Sequence, residues 1–388
     1  MNDKPTISLR RLQVHDGDPW EESKMLRVYG ITYDHTTNYG SCLQAYALQQ
    51  VIRQIEIGGT LCNYQLIPIQ RCEGYPLKSS IVAKFRRHYH GSRFRGFDQQ
   101  NMRFARIHRL DEISLLNREA DAFVCGSDVI WNRDVNRNME QFYLTFAQKY
   151  SFSYAASFGK AVLSEADKKE LPRLLGHLKA ISVREQSAKE IIEENTGLNS
   201  EVVLDPVLLL RADEWNRVAE APRIRKPYIF IYATHLNDTY RGFVSRLRQQ
   251  TGNRVIAATW GAENALKQGI LQVQTPQRWL QLLRDAEYVI TNSFHATAFS
   301  VIYHKKFYTV VHGAKDGGVN VRMCDFLNGL GLQDRLHNSI PDMIDLGKPD
   351  YTLVDQRLTD QREKSLSWLR QNLEAAFEEK LKLEKKGN

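Results

Sequence analysis

The sequence predicts an α/β protein built from two parallel sheets in tandem, each wrapped by helices. Two observations carry this. Short apolar runs alternate with segments of helical spacing from Leu26 to Leu204, and the same alternation starts again after Asp205-Pro206. The 388 residues also exceed what a single compact core usually holds.

The first domain is placed at residues 26–205. Leu26 to Tyr33 reads as a strand, and Tyr39 to Ile55 as a helix with Leu43, Ala47, Leu48, Val51 and Ile55 on one face. Strand-like runs follow at Ala122 to Cys125, Ser151 to Ala156, Ala180 to Val183 and Glu201 to Leu204, with helical patterns at Glu165 to Leu178 and Gln186 to Asn195. The second domain is placed at residues 206–350. Its strands are Tyr228 to Thr234, Arg254 to Ala258, Glu287 to Thr291 and Phe307 to Val311, and its helices Pro276 to Arg284 and Ala296 to Tyr303. Residues 351–388 are assigned to a C-terminal helix packing back on the first domain. Its amphipathic stretch runs from Thr359 to about Leu383, with Trp368, Leu369, Leu373 and Phe377 as the buried stripe. Glu384 to Asn388 is expected to fray, and residues before Leu26 read as a loose polar leader.

Composition narrows the function classes. The chain is 42% hydrophobic and 25% charged, as in ordinary globular proteins, which excludes a mainly disordered or fibrous chain. A net charge of +8 suits an anionic ligand, a nucleic acid or an acidic membrane surface without choosing among them. Cys42, Cys62, Cys72, Cys125 and Cys324 form no CxxC pair, so neither a zinc ribbon nor a disulfide framework is expected, and a reducing compartment is the simpler reading. Met1 to Gly30 holds no apolar core of signal type, and no stretch approaches a membrane span. The expectation is a cytoplasmic protein, with contact at a membrane surface left open. GxGxxG, GxxxxGK[ST], HExxH and GxSxG are all missing, which removes the main support for dinucleotide, P-loop, metalloprotease and serine-hydrolase readings.

Ligands of open α/β sheets bind beyond the carboxyl ends of the strands. The residues there are therefore the candidates. Glu287 to Thr291 leads into Asn292-Ser293-Phe294-His295, which puts His295 at a helix start where backbone N–H groups attract anions. A capped helix with a structural histidine is the plainer alternative. Arg184 ends the strand Ala180 to Val183. Its planar fork suits a carboxylate or phosphate, or a surface ion pair with Glu185 or Glu190. Gly126-Ser127-Asp128 ends the strand Ala122 to Cys125. Asp128 is suited to accept a proton from a sugar hydroxyl, or to cap a short helix. Trp131 suits a sugar ring or the core. The polar loop Asp34, Thr36, Thr37, Asn38, Tyr39, Gly40, Ser41 either binds an acceptor or caps its helix, and Lys160 faces the crevice or only water. Lys84 to Arg109 is rich in Arg, His and aromatics. An amphipathic helix burying Phe94 and Phe97 under a basic face is preferred to a nucleic-acid or anionic-lipid surface, because no RNA- or DNA-binding signature accompanies it.

Six segments in one order resemble the polysaccharide pyruvyl transferase family: Asn38 to Gln49, Gly126 to Asn132, Tyr154 to Gly159, Ile181 to Glu185, Val203 to Pro206 and Thr291 to His295. The resemblance spans about Val28 to Leu336. It implies two Rossmann-like domains facing a cleft, like a GT-B glycosyltransferase. The first domain would carry Arg184 on the acceptor side, and the second His295 on the donor side. It implies phosphoenolpyruvate as co-substrate, no cofactor or metal, and a glycan acceptor, often lipid-linked, at the inner face of a bacterial membrane during surface-glycan biosynthesis. Nucleic acid would not be a partner. Arg184, Asn292, Ser293 and Phe294 would contact the donor, His295 would be the catalytic acid or base, and Asn38, Tyr39, Gly40, Ser127, Asp128 and Lys160 would face the acceptor. Some members carry Arg-Leu-His where this chain has Ser293-Phe294-His295, so Arg322 or Lys315 is the expected source of the missing charge. Ala296 stands where a glycine is common. A GT-B-like glycosyltransferase using a sugar nucleotide and a non-catalytic glycan- or polyanion-binding protein are the alternatives.

Overall fold

The computed structural model describes residues 25–33, 38–69, 81–136, 139–233, 237–259, 274–311 and 318–387. The polar leader, Asp34, Thr36, Thr37 and Lys315 fall outside the described residues. The first sheet holds β1 (Arg27–Ile31), β2 (Asn63–Leu66), β3 (Ala122–Cys125) and β4 (Tyr150–Ser153), all parallel, in the order β2-β1-β3-β4. Helices α1 (Tyr39–Gln54) and α2 (Ile81–Asn101) belong to its crossovers. Isolated bridges from Phe152 to Ala180 and from Ala156 to Val183 carry the pairing on to β5 (Ser182–Val183), which pairs with β6 (Glu201–Val202). Helices α3 (Glu165–Leu175) and α4 (Gln186–Thr196) flank β5, and α5 (Ala212–Val218) follows β6.

The second sheet holds β7 (Tyr228–Ala233), β8 (Arg254–Thr259), β9 (Tyr288–Thr291), β10 (Lys306–Val310) and β11 (Leu336–His337), all parallel, in the order β8-β7-β9-β10-β11. Its helices are α6 (Asp238–Thr251), α7 (Pro276–Arg284), α8 (Phe294–Ile302) and α9 (Gly318–Leu330). Every residue of β3, β7 and β9 is buried, as expected of strands covered on both faces. Each sheet starts at an inner strand, steps to one side, then returns to build outward on the other. This is the doubly wound Rossmann-like pattern, and its switch points lie between β1 and β3 and between β7 and β9.

Local chemistry fixes the helix ends. Asn38 caps α1 by accepting from the N–H of Gly40, and Thr275 caps α7 with Pro276 in its first turn. Gly197 and Gly252 close α4 and α6 at φ of 69° and 66°, a left-handed conformation that suits glycine. Phe94 and Phe97 of α2 are each 1% exposed, which gives that basic helix an apolar face in the core.

One apolar cluster runs through both halves and joins Leu43 and Leu48 of α1 to Trp215, Tyr232, Trp279 and Phe299. Tyr39 sits in the seam. Its ring stacks on Trp279 at 5.2 Å and meets Tyr232 edge-on at 5.7 Å. Its hydroxyl accepts from Gln274 N at 2.8 Å and donates to Gln274 O at 3.1 Å.

The last helix, α10 (Tyr351–Gly387), is longer than the sequence pattern suggested at both ends. It starts at Tyr351, where the segment assigned to it begins and ahead of the amphipathic stretch read from Thr359, because Tyr351, Val354 and Leu358 already bury an apolar face and the Tyr351 hydroxyl donates to Lys305 O at 2.7 Å. It stays helical past Glu384, where fraying was expected. Leu369 and Leu373 are fully buried, and Trp368 packs against Phe152 and Tyr154 of the first half. Lys380 donates to Met25 O and to Asp121, each at 3.1 Å.

Candidate active site

The loops at both switch points meet at one cluster of charges. Arg184 follows β5, and its N–H donates to Ala156 O at 3.1 Å, which fixes the backbone at the sheet edge. The side chain is buried. Its Nη1 donates to Asp205 Oδ2 at 2.7 Å, and its guanidinium lies over the Phe294 ring at 4.6 Å. Asp205 stands where β6 gives way to Pro206, and its Oδ1 accepts from Val207 N at 3.1 Å. Its Oδ2 also accepts from Ser127 Oγ at 3.0 Å, and His295 Nε2 lies 3.4 Å away. One carboxylate therefore touches Arg184 and Ser127 of the first half and reaches His295 of the second. No sequence pattern marked Asp205 as a site residue. In the sequence it stands at the domain boundary and within the Val203 to Pro206 segment of the resemblance, with no site role assigned.

Helix α8 begins at Phe294, not at Ala296 as expected, with Ser293 at the cap position. Ser293 makes no side-chain cap bond, and its N–H donates to Thr291 Oγ1 at 3.0 Å. His295 thus lies within the first turn, 6% exposed, beside Gly40 of α1. Asn292 is half-buried just before it.

Asp128 adopts a φ of 76°, in the left-handed region that Asp and Asn tolerate better than most residues. Its Oδ1 accepts from Val129 N at 2.9 Å, but only turns follow, so the helix-cap alternative fails. Its Oδ2 accepts from Ser41 Oγ at 2.5 Å, and its Oδ1 lies 3.9 Å from Arg184 Nη2. Glu185 places Oε2 3.7 Å from Arg184 Nε, and its Oε1 accepts from Ser157 Oγ at 2.6 Å. The surface ion pair weighed for Arg184 is in fact a buried network. Ser41, Ser157 and Glu185 join it. Each follows a strand end, a signal that was available in the sequence.

Electrostatics sets these groups apart. Burial alone would raise the Asp205 carboxyl, but His295 and Arg184 outweigh it and hold it below the usual carboxylate range. Asp128 is held down in the same way, by His295, Arg184 and the Ser41 bond against burial. Glu185 goes the other way, because burial raises it more than Arg184, Arg322 and Ser157 lower it. Arg184 is lowered by burial but raised more strongly by Asp205, Glu185 and Asp128. Arg322, from α9, is pulled down by burial and by Arg184.

Several buried polar atoms in this cluster have no hydrogen-bond partner among the described residues. They are Nε and Nη2 of Arg184, Nε2 of His295, Nε of Arg322 and Oε2 of Glu185. Leaving such groups unpaired costs about 1–3 kcal/mol each, more when charged. Their residues belong to one electrostatically coupled cluster, and four of the five atoms are nitrogens.

Four candidates fall elsewhere. Tyr39 belongs to the aromatic seam, 3% exposed, so it cannot present its ring to an acceptor. Lys160 pairs with Asp134 and lines a separate crevice with Trp131, Arg133 and Asp167. Trp131 is core: it is 1% exposed and stacked on Tyr143 at 5.1 Å. Asn38 caps α1. Among the described residues, no group of His, Cys, Asp and Glu has the makings of a metal site, and no helix is long and apolar enough to cross a membrane.

Comparison with known proteins gives one family. The family described as polysaccharide pyruvyl transferase matches residues 38–313, most of the chain. No curated protein matches. Among solved structures, Arabidopsis thaliana UGT89C1 complexed with UDP is similar at 11% identity and a TM-score of 0.47, covering 90% of this chain and 99% of its own. The S. aureus MnaA–UDP structure is similar at 10% identity and a TM-score of 0.46, covering 90% and 91%. The E. coli heptosyltransferase WaaC with ADP-2-deoxy-2-fluoro heptose gives 10% identity and a TM-score of 0.38, covering 86% and 99%.

Proposed function

We propose that this chain, which belongs to the polysaccharide pyruvyl transferase family, moves a pyruvyl group from phosphoenolpyruvate onto two hydroxyls of a bacterial surface glycan. The observation that carries the reading is the set of buried donors on Arg184 and Arg322 that make no hydrogen bond among the described residues, beside His295, whose Nε2 lies 3.4 Å from Asp205. Arg184 spends Nη1 on Asp205 and keeps its Nε–Nη2 edge, the pair of parallel donors that grips a carboxylate. The start of α8 offers backbone N–H groups to a phosphate. Arg322 supplies charge that Ser293 lacks. Phosphoenolpyruvate carries a carboxylate and a phosphate ester on the same carbon, C2, so one small molecule calls for several cationic and N–H donors close together.

In this reading the donor's methylene carbon takes a proton and C2 becomes electrophilic. A sugar hydroxyl attacks C2, phosphate departs, and a second hydroxyl closes the ketal. His295 is the catalytic acid or base, a role worth about 10²–10⁴ in rate. Ser127 and Asp128 face the acceptor, and Gly40 leaves room for His295. The protein's own cations hold the donor's charge, without a cofactor. The acceptor is a glycan carried on lipid at the inner face of the membrane, met by a cytoplasmic protein.

Melting in the presence of phosphoenolpyruvate or UDP separates this reading from a sugar-nucleotide glycosyltransferase. The expected result is an upward shift with phosphoenolpyruvate and none with UDP. A shift with UDP alone would overturn the reading.

A further inference from the structure

We propose that Glu185 is the acid that protonates the methylene carbon of the donor, leaving His295 to take the acceptor's proton. The inference rests on the donor reading above and divides its proton traffic between two groups.

The argument is geometric. Glu185 is 2% exposed, and Ser157 Oγ at 2.6 Å holds one of its oxygens in place. The other oxygen, Oε2, is buried without a hydrogen-bond partner among the described residues and lies 3.7 Å from Arg184 Nε. That nitrogen belongs to the edge assigned to the donor carboxylate. In phosphoenolpyruvate, C2 bears that carboxylate, the methylene and the phosphate oxygen, so with the phosphate directed to the start of α8 the methylene is left for the Glu185 end of the guanidinium edge. An ionised carboxylate there would repel a polyanion. A neutral one carries a proton aimed at the carbon that needs it.

The charged groups facing Glu185 are Arg184 on its own segment, and Arg322 and Asp325 on α9. The two arginines favour the charged form. Asp325 and burial oppose it, and burial prevails. A donor bringing three negative charges pushes further toward the neutral acid. Asp128, on the other side of Arg184, is held ionised. Pairs of carboxyls driven apart in this way mark divided acid and base roles.

The step balances. The Glu185 proton bonds to C3, using the enol π pair. The first hydroxyl oxygen bonds to C2 and its proton goes to His295. The C2–O bond to phosphate breaks with its electron pair on phosphate. The second hydroxyl closes the ketal and returns its proton to Glu185, and phosphate leaves as hydrogen phosphate with the proton from His295. No oxidant or reductant enters.

The test uses wild type and Glu185→Gln, each saturated with phosphoenolpyruvate. Infrared difference spectra are recorded first. In D₂O, with water standing in for the acceptor, deuterium entering the methyl group of released pyruvate is then measured. We expect a neutral-carboxyl band in the wild type that Glu185→Gln removes, thermal stabilisation by phosphoenolpyruvate in both proteins, and deuterium incorporation slowed by about 10²–10⁴ in the variant. A purely structural ion pair with Arg184 would instead weaken phosphoenolpyruvate binding in the variant and leave no neutral band to lose. Stabilisation of both proteins with identical carboxyl spectra would overturn the assignment of Glu185 and spare the donor reading. Failure of phosphoenolpyruvate to stabilise wild type would overturn both.

Discussion

Replacing Gly40 by alanine sets two effects of known size against each other. Gly40 sits in the first turn of α1 with an ordinary helical backbone, where alanine is favoured over glycine by up to about 1 kcal/mol. A Cβ at this position, however, would lie 2.1 Å from Nδ1, 2.4 Å from Cγ and 2.8 Å from Cβ of His295. The clash is with the root of the imidazole, not a flexible tip, so the ring cannot swing clear. Phe294 stands edge-on to it at 5.4 Å and Asp205 lies 3.4 Å from Nε2. Overpacking of this kind costs about 1–3 kcal/mol, which exceeds the helical gain. The expected outcome is a lower melting temperature, with a net loss of up to about 2 kcal/mol. Displacing a catalytic ring by about 1 Å lowers turnover by about 10². Differential scanning fluorimetry and phosphate release from phosphoenolpyruvate check both. A Gly40→Ala protein that melts no lower and turns over at the wild-type rate would refute the packing of α1 against α8 described above.

Removing the Asp205 side chain (Asp205→Ala) leaves the Arg184 cation buried with only the more distant Asp128 and Glu185. The expected destabilisation is about 3 kcal/mol, at the low end for a broken buried pair. Because the native Asp205 carboxyl is held below its ordinary range, its contribution is present above the unfolded aspartate value and lost as pH falls through the folded one. The gap between wild type and variant in urea unfolding therefore narrows below about pH 4, and a gap that widens there would contradict the assignment. His295→Ala keeps the fold, read by circular dichroism, and loses transfer, read by phosphate release. Unchanged turnover would remove His295 from the chemistry. Arg322→Gln weakens phosphoenolpyruvate binding by about tenfold or more, the worth of one charge-assisted hydrogen bond, with little change in melting temperature of the free protein. Unaltered binding would return the missing charge to another residue.

Much of the fold was legible because parallel strands buried on both faces read as unbroken apolar runs. Ala122 to Cys125 and Pro276 to Arg284 match the structure end to end. Elements with weaker contrast escaped. In α6 the apolar residues Tyr240, Phe243 and Leu247 keep helical spacing but are diluted by arginine and glutamine. In β2, Asn63 and Gln65 alternate with Tyr64 and Leu66, half the signal of a fully covered strand. Arg184, Asp128 and His295 were findable because strand ends are where ligands sit. Asp205 also follows a strand read in the sequence, Glu201 to Leu204, but its role was not legible, because its partners Ser127 and His295 lie 78 and 90 positions away. Tyr39 looked polar by its neighbours in sequence, and only the pairing of the two halves turned it into core.

The placement of α10 sets an order of events during synthesis. Lys380 reaches back to Met25 across 355 positions, and Trp368 packs on Phe152 and Tyr154 of the first half. On the ribosome, those rings stay bare on that side while the whole second sheet is being made. The first half therefore emerges with exposed apolar surface and depends on a helix made after the second sheet to seal it, so loss of α10 would be felt in the first sheet.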